Sequence, residues 1–181
     1  ALSCLWMNPW MAGGVLKYLA ATQATAANPL RDAQPGKILH EARTGEMAAL
    51  GEIPFGQYYG SHDATPLFVV LADAYFERTG DRSLVEAIWP NIQAALRWIE
   101  RDGDLDGDGF IEYQRRSPVG LVHQGWKDSN DAVFHADGST AEGPIAPCEI
   151  QAYAYAAWRG AARLAAALGL EEEGASFGDK A

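Results

Sequence analysis

The amino-acid sequence predicts an all-α protein with long loops between its helices. Apolar residues recur at spacings of three and four in several windows, and the last long window is rich in alanine. The segments between these windows are rich in glycine and proline, which interrupt helices. The chain has 181 residues, enough for one domain with a substantial core. Long ordered connections are where functional groups tend to lie.

The first half of the chain predicts three helices. The first runs from residue 9 to about residue 25, with Asn8 as its N-cap. The second covers residues 64–79 and opens on a run that is apolar on every side, so we expect it to be buried all round. Asp81 caps the third, an amphipathic helix that we expect to be kinked or broken at Pro90.

The second half predicts one long helix and little strand. The stretch FIEY offers a short strand, at most part of a β-hairpin near residues 110–124. Residues 147–168 form an alanine-rich helix that a neighbouring helix can approach closely. The weakly patterned tail EEEGASFGDKA is interpreted as the start of a further helix.

Charge and hydropathy exclude two classes of partner. The chain carries 24 acidic and 14 basic residues, a net charge of −10, without a Lys/Arg cluster, so we expect no nucleic-acid partner. No apolar run reaches the roughly 20 residues of a membrane span, and we expect a cytoplasmic protein without membrane contact. Because the first residue is Ala, the lack of a signal peptide carries little weight. Cys4 and Cys148 are expected to be buried thiols.

The acidic segment that starts at Asp104 has the spacing of a calcium-binding loop. Its residues match positions 1, 3, 5, 6, 8 and 9 of an EF-hand loop; they are Asp104, Asp106, Asp108, Gly109, Ile111 and Glu112. The twelfth position holds Arg115 instead of the bidentate Glu, so other residues would have to complete the shell. A structural Ca²⁺ on the four carboxylates is the prediction, and a solvated Asp/Gly turn is the alternative.

Residues 124–131, QGWKDSND, place a Trp, a Lys and two Asp in a loop that no helical stripe explains. Sugar rings stack on aromatic side chains and their hydroxyls bind charged groups, so this composition suits a sugar site. Glycosidic cleavage needs two carboxyl groups, one of them protonated. Asp128 is the best acid candidate because burial against Trp126 would raise its pKa, although the ammonium of Lys127 opposes this. A surface turn that caps a helix is the alternative.

Four segments resemble bacterial amylo-α-1,6-glucosidases, or glycogen-debranching-type proteins, in order and spacing. They are PGKILHEARTGEMAALGEIPFGQYYGSHDATPLFV, DLDGDGFIEY, QGWKDSNDAVFHADG and GPIAPCEIQAYAYAAW, and they cover most of residues 8–160. That family is similar to glucoamylases, trehalases and processing glucosidases. The resemblance implies an α/α toroid of six helical hairpins and hydrolysis of α-glucosidic bonds with inversion.

The resemblance also implies site residues. Asp128, in GWKDS, matches the general acid. The residues implied to surround the sugar pocket are His40, Glu41, Tyr59, His62, Asp63, Trp126, Lys127, Glu149 and Gln151. The substrate would be an oligo- or polysaccharide, and the chemistry requires no cofactor.

The resemblance predicts that residues 1–181 are an incomplete toroid domain. The family's opening helix, with its Gly-Arg-Asp segment, and the later hairpins with the catalytic base have no counterpart here. We therefore expect this chain to be inactive by itself and to self-associate through exposed faces of its terminal helices. The alternatives are a non-catalytic carbohydrate-binding or calcium-stabilised scaffold domain, a calcium-dependent interaction module, and a trehalase- or mannosyl-glycosidase-like enzyme.

Overall fold

A computed structural model describes residues 1–52, 56–127 and 129–181. These residues are helical with almost no strand, which confirms the predicted fold class. The helices are α1 (Pro9–Ala21), α2 (Glu46–Ala49), α3 (Ala64–Thr79), α4 (Arg82–Trp98), α5 (Cys148–Leu168) and α6 (Glu171–Asp179). Short 3-10 helices cover Leu2–Cys4 and Pro29–Arg31, and a π-helical turn, Ile99–Gly103, continues α4.

The central helix is α3, against which α1, α4 and α5 all pack. From Ala64 to Phe76 no residue of α3 is exposed, which confirms the predicted all-round burial. Its N-cap residue is Asp63, and the hydroxyl oxygen of Ser61, two residues earlier, accepts a hydrogen bond from the Ala64 amide at 3.2 Å. The helix ends at Gly80, which takes the left-handed conformation with φ 66°.

Helix α4 begins as predicted but does not break. The Asp81 carboxylate accepts a hydrogen bond from the Leu84 amide at 3.1 Å and so caps the helix. Pro90 lies inside the helix, which continues to Trp98, so the predicted break is wrong. Packing of the apolar face of α4 on α3 and α5 offsets the hydrogen bond that a proline cannot donate.

The predicted strand at residues 110–113 reduces to a single bridge. The backbones of Tyr113 and Ile145 exchange hydrogen bonds of 3.0 and 3.1 Å, and this partner lies beyond the predicted hairpin range. Gln151 on α5 attaches the same segment to the helices, since its side-chain amide binds the N–H and the carbonyl of Ile111 at 2.9 and 2.8 Å. One backbone bridge and the Gln151 side chain therefore hold this part of the chain in place of a sheet.

An apolar surface is exposed near the start of the chain. Trp6 and Trp10 are 72% and 74% exposed, and Met7 and Met11 lie beside them in sequence and are also exposed. Self-association through terminal helices stays a prediction, and this is the surface that would mediate it. Among the helices of the described ranges, none is long and apolar enough to cross a membrane.

The two cysteines differ in exposure. Both are free thiols; Cys4 is half-buried, whereas Cys148 is exposed on the first turn of α5. The predicted burial of Cys148 is therefore wrong, because Cys148 lies on the solvent side of the first turn of α5, whereas Ile150 in the same turn is buried.

Candidate functional site

A cavity of about 370 Å³ opens between the loop that follows residue 124 and the start of α5. Its size lies in the range of small-molecule sites, and most of its wall is apolar. The lining residues are Tyr113, Gly125, Trp126, Lys127, Ala132, Val133, Phe134, Ile145, Ala146, Pro147, Cys148, Glu149 and Ile150. Three of the predicted sugar-pocket residues, Trp126, Lys127 and Glu149, thus lie together.

These three side chains contact one another. The Lys127 ammonium lies 5.3 Å from the centre of the Trp126 ring and 3.6 Å from a carboxylate oxygen of Glu149. Trp126 is 59% exposed, so its indole has surface left for a ligand. The pKa of Glu149 is held below its usual value by its own backbone amide, then by the Trp126 indole and the Lys127 ammonium. Glu149 is therefore an ionised hydrogen-bond acceptor beside an ammonium donor.

A buried Tyr–His pair supports the cavity wall. The Tyr113 hydroxyl and His123 Nδ1 are 2.8 Å apart, and His123 Nε2 is 2.8 Å from the carbonyl oxygen of Asn130. A carbonyl only accepts, so Nε2 donates to Asn130, and in the neutral imidazole Nδ1 then accepts the Tyr113 hydroxyl. Burial raises the pKa of Tyr113, which keeps the hydroxyl protonated as a donor.

The predicted acid, Asp128, lies outside the described residues, but both flanks of its loop are described. On one side, the carbonyl of Gln124 accepts a hydrogen bond from the backbone N–H of His62 at 2.9 Å. On the other side, the carbonyl of Asn130 is bound by His123. The loop that carries Asp128 therefore begins and ends at anchored residues beside the cavity.

Two other predicted pocket residues, His40 and Glu41, lie on a different segment. Their backbone N–H groups donate to the Tyr58 carbonyl at 2.9 and 3.1 Å. The Glu41 carboxylate forms an ion pair with Arg43, and the His40 ring packs edge-on against Tyr58 at 6.3 Å. Neither residue lines the Trp126 cavity.

The remaining predicted pocket residues take part in structural contacts. The Tyr59 hydroxyl donates to the carbonyl of Thr22 at 2.7 Å, and Asp63 accepts a hydrogen bond from the Ser61 hydroxyl at the start of α3. Gln151 holds the Ile111 backbone, as described above.

His62 lies behind the cavity wall. Its ring packs against Trp98 at 5.2 Å and against the wall residue Tyr113 at 5.8 Å. The pKa of His62 lies well below its usual value, mainly because of burial and also because of nearby Lys37 and Arg116. The imidazole is thus neutral in the folded protein near neutral pH.

The sequence interpretation missed a buried polar cluster at Asp32 and Lys37. The Asp32 carboxylate and carbonyl bind groups from three segments, at Lys37, at Tyr58 and at residues 116–124, and the Lys37 ammonium donates to the Asp32 carbonyl at 3.1 Å. The pKa of Lys37 is lowered to about 7, mainly by burial and also by the nearby Arg116, while Asp32 and Asp102 oppose the shift. A lysine inside the apolar stretch GKIL was the available signal, since an isolated lysine among buried residues needs partners.

The acidic loop brings its four predicted ligands together. One carboxylate oxygen from each of Asp104, Asp106, Asp108 and Glu112 lies within 4.8 Å of the others. Asp104 accepts the amides of Gly107 and Gly109 at 2.7 and 3.0 Å, which folds the loop around its carboxylate. This cluster supplies four of the oxygen ligands that a hard divalent cation requires.

The cavity combines an aromatic surface, a carboxylate acceptor and an ammonium donor in a partly enclosed space. Such a set of groups binds the apolar face and the hydroxyls of a sugar ring, and the loop that carries Asp128 borders it. Comparison with known proteins adds no family to this description, since the chain matches no protein-family model and no curated protein.

Proposed function

We propose that this chain is part of an inverting α-glycoside hydrolase of the debranching type, acting on α-glucosidic bonds. The observation that carries the proposal is the meeting of Trp126, Lys127 and Glu149 at one cavity, beside the loop of the predicted acid. In this proposal a glucosyl ring stacks on Trp126, and its hydroxyls bind Glu149 and Lys127. Asp128 protonates the leaving glycosidic oxygen, and a base outside this chain activates water on the opposite face.

The proposal includes the six-hairpin α/α toroid as the architecture. Two features support it: α3 and α4 follow each other directly through Gly80 and Asp81, and α5 and α6 follow each other in the same way and pack together. The connection between the two helix pairs, from residue 104 to residue 147, is long and carries many polar residues, as in a barrel whose site lies at one end.

Sugar binding is tested by removing the aromatic surface. Trp126→Ala is expected to weaken maltotriose binding at least tenfold, measured by calorimetry, because stacking on the indole contributes more than about 1.4 kcal/mol. Trp10→Ala is the matched control, since Trp10 is an exposed tryptophan on α1 away from the cavity. Equal affinities for the two variants would contradict the site.

Turnover separates the hydrolase from a carbohydrate-binding domain. In the intact enzyme, Asp128→Asn should lower kcat at least about 100-fold and leave the maltotriose affinity within a factor of three, because the acid acts in the transition state. An intact protein that binds maltotriose but releases no glucose from panose, which contains an α-1,6 bond, would favour the non-catalytic alternative.

We also propose that the acidic loop binds Ca²⁺ as a structural ion. Saturating Ca²⁺ is expected to raise the Tm by about 5 °C, since a ligand that binds only the folded state stabilises it. Asp106→Asn should abolish this shift, because it removes a ligand charge but keeps the acceptor for the Asp108 amide. Asp137→Asn, a change in another exposed Asx turn, should leave the shift intact. If Ca²⁺ leaves the Tm of the parent protein unchanged, the proposal that the loop binds a structural Ca²⁺ is refuted.

A further inference from the structure

Asp32 has an unusual backbone for a residue with a side chain. Its φ is 49°, the one positive value among the described residues other than glycine, and only 3% of its surface is exposed. It directly follows the 3-10 helix Pro29–Arg31. A buried residue keeps such a conformation only where the surrounding contacts determine it, and such residues occur often at functional sites.

The Asp32 carboxylate supplies those contacts. Its Oδ1 accepts the backbone amides of Arg116 and Ser117 at 2.7 and 2.9 Å. Its Oδ2 accepts the Tyr58 hydroxyl at 2.8 Å and the Gln124 side-chain amide at 3.2 Å. One buried carboxylate thus joins the segment at Tyr58 to two points of the 116–124 segment.

The 116–124 segment leads directly into the candidate sugar site. Besides the Asp32 contacts, the Leu121 amide donates to the Tyr58 hydroxyl at 2.8 Å. The next residues, Gly125 to Lys127, line the cavity. The position of this tripeptide therefore depends on where Asp32 and Tyr58 hold the preceding segment.

The close packing around Asp32 provides an independent variant. A Cβ on Gly120 would lie 2.4 Å from the Tyr58 hydroxyl oxygen and 2.7 Å from Asp32 Oδ2. Glycine at position 120 therefore allows the segment to approach the carboxylate. An alanine there would separate the same groups and leave Asp32 itself unchanged.

We propose that Asp32 is a positioning residue for the candidate sugar site, which sets the location of Trp126 and Lys127 by holding the 116–124 segment. The identity of the ligand that Trp126 and Lys127 bind rests on the proposed function. The positioning role of Asp32 does not depend on it. Among the described residues, the hydrogen-bond partners of the carboxylate are Tyr58, Arg116, Ser117 and Gln124, and none of these lines the cavity.

The test uses Asp32→Asn, because asparagine tolerates the left-handed backbone but places an N–H₂ group among donors. The backbone resonances of residues 125–127 and the Trp126 indole resonance are recorded by ¹H–¹⁵N NMR, together with the maltotriose affinity. We expect Asp32→Asn to displace these resonances and to weaken maltotriose binding at least tenfold. Gly120→Ala should displace the same resonances.

Asp73→Asn is the matched control. Asp73 is also a buried carboxylate, 6% exposed, but its partner is Arg163 on α5. The Asp73→Asn variant should leave the resonances of residues 125–127 in place, even if it lowers the Tm as much as Asp32→Asn does.

The outcomes separate the two proposals. Unmoved 125–127 resonances in Asp32→Asn would overturn the positioning role, whatever the change in Tm. If the variant shows displaced resonances while the parent protein binds no maltotriose, that result would support the positioning role and refute the sugar site. If Asp32→Asn does not fold, Gly120→Ala and Tyr58→Phe decide the question by the same resonances.

Discussion

Replacing Gly36 with alanine is expected to lower the free energy of unfolding by about 3 to 5 kcal/mol. Gly36 has φ 92°, and a Cβ there would lie 2.2 Å from the backbone carbonyl oxygen of Ala94 on α4. Its carbonyl also accepts the Gln23 side-chain amide at 2.8 Å, so the loop cannot move away without losing that bond. Urea unfolding followed by circular dichroism measures the loss.

The Gly138→Ala variant separates the cost of the steric clash from the cost of a positive φ. Gly138 has a similar φ of 87°, but an added Cβ would have no neighbour within 4 Å. We expect a loss of only about 1 kcal/mol there, the cost of a positive φ for an L-residue. Equal losses at positions 36 and 138 would mean that the contact with α4 contributes nothing.

Lys37→Met is expected to remove a pH dependence of stability and to raise the free energy of unfolding by about 2 kcal/mol at pH 7.5. Burial lowers the pKa of Lys37 from 10.5 to about 7. Between these values the unfolded chain holds a proton that the folded protein has released, so stability rises with pH by up to about 1.4 kcal/mol per unit. Below pH 7 both states are protonated, and the full cost of the buried charge remains.

The measurement compares urea unfolding at pH 7.5 and 9.5 for three proteins. The parent should gain roughly 2 to 3 kcal/mol over this range, and Lys37→Met should gain little. Lys17→Met, at an exposed position on α1, should behave like the parent. The range avoids His62, whose lowered pKa acts below pH 6.5, and Tyr58, whose raised pKa reduces stability above about pH 10. If the free energy of unfolding of the parent protein is the same at pH 7.5 and pH 9.5, the lowered pKa of Lys37 is refuted.

The helices could be predicted because their signals are local. The Asp81 cap, the Gly80 terminus and the apolar run of α3 act within a few residues, and the structure has them at the predicted positions. Of the two outcomes expected at Pro90, a kink or a break, the break does not occur, because the packing of α4 offsets a local cost that the sequence shows. The cluster of Asp104, Asp106, Asp108 and Glu112 was also predictable, since one short loop supplies all four carboxylates.

The sequence by itself thus determined the helical class, most helix ends and the acidic loop, each through contacts between residues close in the chain. Only the tertiary structure decided that Trp126, Lys127 and Glu149 share a cavity, while His40 and Glu41 lie with Tyr58. It also revealed Asp32, whose carboxylate has its hydrogen-bond partners 26 to 92 residues away. Such contacts arise from the packing of helices on one another, and no pattern of neighbouring residues encodes them.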